Sequence, residues 1–320
     1  MVEKNKKQKF ATEAGLFYKL DKAAFLQRDE FHLWESSADH MEAIKHCNLY
    51  FICHRTRVGV NPNSMNVTAD MITIYFEFWD GIERYPFPIA FRNKFGTDII
   101  LESESPYNYF KIKNKSGETL YEAKATHFVD DYKHNLVPRS KFMDLKVLYI
   151  GQALDKTDKS TFNRLVKHEA LEEIYSISPP DKEVFLFLFP LFNVDGYIEM
   201  KNSFPSQKAQ VYRDNERLEA FIKSKLQLPF DRHINVAEAA FIKYFKPKYN
   251  KHHTKTFPTK RNDSYKELYK MDFNTIDITL DGTEMDFHFF SDTVSSSPFH
   301  NHSFFLPTKK DRRKLFEDFE

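Results

Sequence analysis

KVLYIGQALDKTDKSTFNRLVKHEAL, residues 146–171, holds a strand and most of a helix in one stretch. KVLYIG (146–151) is short, apolar and ends on glycine, which reads as a buried strand. Residues 161–176 read as a helix. Arg164 and His168 stand four apart and share a face that Leu171 and Tyr175 extend. Phe162, Leu165, Val166 and Ala170 take the other side. A surface helix with a solvated Arg and His is the plain alternative. Downstream, VFLFLFPLF (184–192) reads as a buried strand, RDNERLEAFIKSKL (213–226) as a polar helix, and 235–246 as a compact helix stopped by Pro247. Strand, helix, strand, helix, helix is a small α/β unit.

Upstream the period changes to two. NLYFICHRTRVGV, MITIYFEFW (71–79), DIILESE (98–104), YFKIKN and ETLYEAKATHF read as short strands. Turn signals separate them: Asn61-Pro62-Asn63, Asp80-Gly81, Gly96-Thr97, Ser105-Pro106 and Ser116-Gly117. Five strands without helices between them predict an antiparallel sandwich or barrel whose Tyr and Phe residues form a core. Residues 1–46 are expected to be helical. Residues 263–320 form a third region with strand-like TIDITL and MDFHFF. The expected organisation is therefore α+β: a helical N-terminus plus β-rich domain (1–129), a small α/β domain (130–260) and a C-terminal extension (261–320).

Composition narrows the function classes. The chain has 320 residues, 41% hydrophobic and 16% aromatic, which is ample for packed cores. Lys+Arg 47 against Asp+Glu 46 leaves a net charge of +1, so any basic surface must be local. Only 8 glycines disfavour a fold built on Gly-rich phosphate loops. No apolar run reaches the ~18–20 residues that span a bilayer. The lysines at 4, 6, 7 and 9 precede no apolar segment of a secretory signal. Cys47 and Cys53 are too few for a disulfide framework or a Cys-based zinc site. The expectation is a cytoplasmic protein without a membrane partner.

Two features carry chemistry. In the helix at 235–246, Ala237, Phe241, Tyr244 and Phe245 define an apolar stripe, and Glu238 falls inside it. A carboxylate there needs a partner or a metal. The alternative is a capping box, since Asn235 and Glu238 have the right spacing. From Ala239 to Asn262 there is no Asp or Glu, while Lys243, Lys246, Lys248, Lys251, Lys255, Lys260 and Arg261 stand among Tyr244, Phe245, Tyr249 and Phe257. Basic residues interleaved with aromatics suit a phosphate backbone. A solvated Lys-rich loop is the simpler alternative. Residues 263–292 are acidic by contrast, with eight Asp/Glu against Lys266 and Lys270.

The ordered set Tyr149-Ile150-Gly151, Arg164, His168, the helix-borne Glu238 and Asn250 of PKYN resembles the GIY-YIG nuclease superfamily over about residues 130–258. The resemblance implies a small nuclease domain with a short antiparallel sheet flanked by helices. It implies that Tyr149 bonds near the attacking water or the scissile phosphate, that Arg164 holds the phosphate, and that His168 orients or relays a proton. It further implies that Glu238 binds one Mg²⁺ (or Mn²⁺) and that Asn250 shapes the site. The family's first motif, Gly-Ile-Tyr, is absent from DDYKHNLVPRSKF (130–142), where Tyr132 is the nearest tyrosine and the candidate for its role. The implied activity is a metal-dependent endonuclease acting on nucleic acid, with double-stranded DNA as the expected partner, a homodimer as one arrangement, and restriction or anti-phage defence as the setting. The rival expectations are an inactive nucleic-acid binder of the same fold, or a sensor or interaction protein acting through its β domain.

Overall fold

The computed structural model describes residues 12–13, 15–135, 140–152, 168–191, 201–202, 219, 230–252 and 275–305. They form a mixed, strand-rich α+β protein. The strands are β1 (Thr12–Glu13), β2 (Gly15–Leu20), β3 (Ala24–Leu26), β4 (Cys47–Val60), β5 (Asn66–Val67), β6 (Met71–Asp80), β7 (Glu83–Arg92), β8 (Ile99–Glu102), β9 (Tyr109–Asn114), β10 (Thr119–Lys124), β11 (Leu145–Gln152), β12 (Lys182–Pro190), β13 (Lys201–Asn202), β14 (Thr275–Asp281), β15 (Phe289–Phe290) and β16 (Phe299–Phe305). The helices are α1 (Phe31–Ser36), α2 (Ala38–Ile44), α3 (Ala125–Tyr132), α4 (Glu169–Ile177) and α5 (Phe230–Phe245).

The chain divides into two compact units, and both are discontinuous. One comprises residues 1–53, 146–172 and 185–320, the other 54–145 and 173–184. The boundaries expected at 129/130 and 260/261 do not coincide with this division. The C-terminal stretch is no extension either, because 275–305 belongs to the first unit.

In the first unit the strands lie in the order β15-β11-β4-β12-β3. The apolar run of β12 is buried without alternation, as suits a strand covered on both faces. Phe51 of β4 is fully buried, with the rings of Phe189, Phe241, Phe245 and Phe289 at 4.9 to 6.5 Å. Truncating such a residue to alanine costs about 3–5 kcal/mol. A second sheet has β14 between β16, antiparallel, and β2, parallel from Thr275↔Gly15 to Leu280↔Leu20. The strand at 15–20 corrects the expectation that 1–46 is helical; among the described residues there, the α-helices are α1 and α2, after a 3-10 turn at Arg28–Glu30, and neither buries a residue.

The second unit holds the β-rich region. β6 and β7 form a hairpin registered from Met71↔Arg92 to Asp80↔Glu83. Gly81 takes φ +59° in its two-residue turn, a conformation that favours glycine. β7 carries Pro86 and Pro88, and among the described residues it pairs with β6 alone. β8, β9 and β10 form an antiparallel sheet. The expected strand ETLYEAKATHF is a strand only to Lys124; from Ala125 it is α3, which buries Ala125, Phe128 and Val129. In this core Phe76 stacks on Phe128, and Phe110 meets both rings edge-on.

The second unit also buries a charged network. Arg55 is 1% exposed and meets Asp130 through both guanidinium nitrogens, at 2.6 and 3.0 Å. Arg55 also donates to the Thr126 hydroxyl, which donates to Glu183 Oε2 at 2.8 Å. Burial pulls the Arg55 pKa down, but Asp130 outweighs it and the net shift is upward. Burial raises the Glu183 carboxyl against the opposing pull of Arg55 and Thr126.

Candidate active site

Tyr149, on β11, is buried at 4% exposure. Its ring lies 5.8 Å from that of Tyr50 on β4, the neighbouring strand, and 5.8 Å from that of His168. The Tyr50 and His168 rings are 6.0 Å apart, so the three form a triangle within the first unit. The two phenols interact, and the interaction raises the Tyr50 pKa while lowering that of Tyr149. Burial dominates both. It drives Tyr149 up to about 12 and Tyr50 well above its ordinary value, and the nearby Glu238 adds to each rise. Both hydroxyls therefore keep their protons at neutral pH.

Gly151 explains why this corner needs glycine. A Cβ on it would stand 2.5 Å from both Cζ and the hydroxyl oxygen of Tyr50. The absence of a side chain lets the phenol lie against the end of β11.

His168 immediately precedes α4 rather than lying within it, and its carbonyl accepts from Leu171 and Glu172. Its Nδ1 accepts from the Ala170 N–H at 3.3 Å, which leaves the proton of the neutral ring on Nε2. The helix expected over 161–176 is thus seen from Glu169 to Ile177. Residues 161–167 lie outside the described residues, and Arg164 with them.

Glu238 projects from α5. Among the described residues the helix runs from Phe230 to Phe245, which puts Asn235 in its interior and removes the capping-box alternative. Ala237, Phe241 and Phe245 are buried, as the stripe predicts. Lys246, at φ +48°, and Pro247 end the helix. Glu238 is partly buried, and burial pushes its carboxyl up to about 7, against the lowering effect of a hydrogen bond from Gln152. Gln152 Nε2 donates to Glu238 Oε2 and to Asn235 Oδ1, the latter at 2.6 Å. Asn250 is buried and clamps the middle of the YIG strand: Ile150 N donates to its Oδ1 at 3.0 Å, and its Nδ2 donates to Ile150 O at 2.8 Å.

Four of the expected residues, Tyr149, His168, Glu238 and Asn250, thus gather in one unit. Tyr132 does not join them. It lies in the second unit, against Phe128 at 4.7 Å and Phe91 at 6.0 Å, because α3 turns its ring into that core. Tyr50 and Gln152 escaped the sequence reading, and Asn235 entered it only as a candidate cap. The available signal for Tyr50 was Leu49-Tyr50-Phe51-Ile52, an apolar strand carrying a tyrosine as KVLYIG does. Of the basic stretch, Lys243 is half-buried, and Lys246 and Lys248 are exposed at the C-terminal end of α5. The side chains of Lys251, Lys255, Lys260 and Arg261 lie outside the described residues.

The residues present fit a divalent cation of the magnesium type. Among the described residues there is no cluster of three His, Cys, Asp or Glu side chains, so no closed protein cage exists there. One carboxylate beside the buried, unpartnered carbonyl oxygen of Gln152 is a donor set of hard oxygens, and Mg²⁺ commonly takes one or two carboxylates and completes its shell with water. No helix among the described residues is long and apolar enough to cross a membrane. Searches of family models, curated proteins and solved structures find no match to the chain.

Proposed function

We propose that the chain is a divalent-metal-dependent endonuclease that hydrolyses phosphodiester bonds in nucleic acid, with double-stranded DNA as its substrate. In this reading the first unit is a GIY-YIG-like nuclease domain, and the second is inserted between the strands that bear its two tyrosines. The observation that carries the proposal is the grouping of Tyr50, Tyr149 and His168, with Glu238 close enough to raise the pKa of both phenols. In this reading Tyr50, on the strand beside the YIG strand, takes the role of the first-motif tyrosine in place of Tyr132. The inactive-binder alternative drew its force from the lack of that tyrosine.

Each residue has a task. Tyr50 and Tyr149, both protonated, orient the attacking water through their linked hydroxyls. His168, with Nδ1 committed to Ala170, presents Nε2–H to an oxygen of the reacting phosphate. Arg164 supplies fixed positive charge for the transition state. Asn250 pins the strand that carries Tyr149. Glu238 holds Mg²⁺ or Mn²⁺, which when bound acidifies a water and neutralises charge on the phosphoryl oxygens. The Lys243–Arg261 segment supplies contacts to the backbone of the nucleic acid, and restriction or anti-phage defence is the setting proposed for the activity.

The test is cleavage of plasmid DNA, single-stranded DNA and RNA by the full chain with Mg²⁺, Mn²⁺ or a chelator. Cleavage that needs the metal supports the proposal, and no cleavage of any substrate with either metal overturns it. If six phosphates are neutralised, DNA affinity falls about 10³-fold or more between 50 and 200 mM salt.

A further inference from the structure

The geometry points to Gln152 as a positioning residue for Glu238, an assignment that rests on the nuclease reading above. Gln152 is the last residue of β11 and directly follows Gly151. Its single amide group reaches two residues of α5: Asn235, at 2.6 Å, and Glu238. Asn235 and Glu238 are three apart and therefore share one face of the helix. An amide NH₂ carries two protons, so it can serve both acceptors at once. An ionised Glu238 accepts only the NH₂ edge of Gln152, and this fixes which way the amide lies.

Two consequences follow for the carboxylate. Its direction is set from the strand as well as from its own helix, and a flexible side chain is thereby held in one orientation. Its other oxygen, Oε1, remains uncommitted among the described residues. The carbonyl oxygen of Gln152 is buried without a hydrogen-bond partner among them as well. Buried acceptors are rarely left this way. Of these two oxygens one is anionic and the other neutral, and both are hard oxygen acceptors of the kind a hydrated cation takes. Losing a residue that orients a metal ligand typically weakens metal affinity by about 10- to 100-fold.

The experiment measures Mn²⁺ binding to the full chain by electron paramagnetic resonance, in the wild type and in Gln152→Met, which keeps the length and loses the amide. The expected result is a 10- to 100-fold weaker affinity. The melting temperature stays unchanged, and kcat falls while KM for DNA holds. Wild-type Mn²⁺ affinity in Gln152→Met overturns the assignment. A second readout needs neither metal nor activity: the side-chain amide signals of Gln152 in ¹⁵N-labelled, metal-free protein. They shift when Asn235→Leu removes one acceptor, and signals that stay in place overturn the assignment. A wild-type chain that binds no Mn²⁺ counts against the nuclease reading instead, and the amide signals then decide the role of Gln152 by themselves.

Discussion

In the second unit Arg55, Asp130, Thr126 and Glu183 bury their charges in a circuit closed through the two Nη nitrogens of Arg55, with guanidinium against carboxylate and hydroxyl against carboxylate. In the first unit Tyr50, Tyr149, Gln152 and Glu238 bury theirs in an open one. The Gln152 carbonyl oxygen has no partner among the described residues, and burial drives the Glu238 carboxyl up to about 7 despite its hydrogen bond from Gln152. Both units spend desolvation on polar groups. A closed circuit recovers that cost through its own bonds and specifies one packing. An open circuit leaves it for something from outside to recover, which is what the proposed metal site asks of Glu238.

The contrast can be broken most decisively at Glu238. Glu238→Gln keeps the volume and removes the charge. Plasmid cleavage is expected to fall by about 10⁴-fold, or about 5.4 kcal/mol of transition-state stabilisation. The metal-free variant should melt at neutral pH no lower than wild type, because a destabilised carboxylate has been removed. Full activity in this variant would make the open circuit merely structural.

Asp130→Ala asks the opposite question of the closed circuit. It strands a buried guanidinium and should cost about 3–5 kcal/mol in urea unfolding. Replacing both partners, Arg55→Met with Asp130→Leu, should cost much less, since no charge is left unpaired. Equal losses in the two variants would remove the argument that pairing is what matters there.

Next in size is pH. Glu238 has a folded-state pKa raised from 4.5 to about 7, so the folded chain holds its proton more tightly than the unfolded chain. The stability this provides is complete below about pH 4.5 and is lost as pH rises through about 7, by at most about 3 kcal/mol. The melting temperature of metal-free wild type relative to Glu238→Gln should fall across that window, and Mg²⁺ should restore it at neutral pH. A difference that stays flat from pH 4.5 to 8 would mean that the carboxylate is not strained. The smallest expected effect belongs to Tyr50→Phe. It removes one hydroxyl from the phenol pair and should slow cleavage about 10²-fold with little change in melting. An unchanged rate would take Tyr50 out of the chemistry.

Much of the fold was legible wherever burial leaves a local period. KVLYIG, VFLFLFPLF, MITIYFEFW and YFKIKN lie where β11, β12, β6 and β9 stand. The stripe of α5 marked Glu238 as an inward carboxylate before any coordinates did. What escaped depended on distant partners. GLFYKL becomes a strand by pairing in parallel with β14 from near the other end of the chain, which no local period announces. β7 escaped because two prolines disguise a strand. Asn235 was weighed as a cap because nothing in the sequence fixes where α5 begins. Tyr50 was missed for a larger reason: residues 54–145 separate its strand from the YIG strand, so a search just upstream of Tyr149 met the second unit and found Tyr132.

Those two prolines in β7 reach further than strand recognition. Pro86 and Pro88 have the same parity, and proline has no N–H to offer a neighbouring strand. A second molecule seeking to extend the hairpin along this border would find two donors missing within three residues. Runaway sheet growth, the usual route from an open border to fibres, is blocked there. The same block bears on self-association: two copies of the chain would meet through another surface, leaving this hairpin unshared.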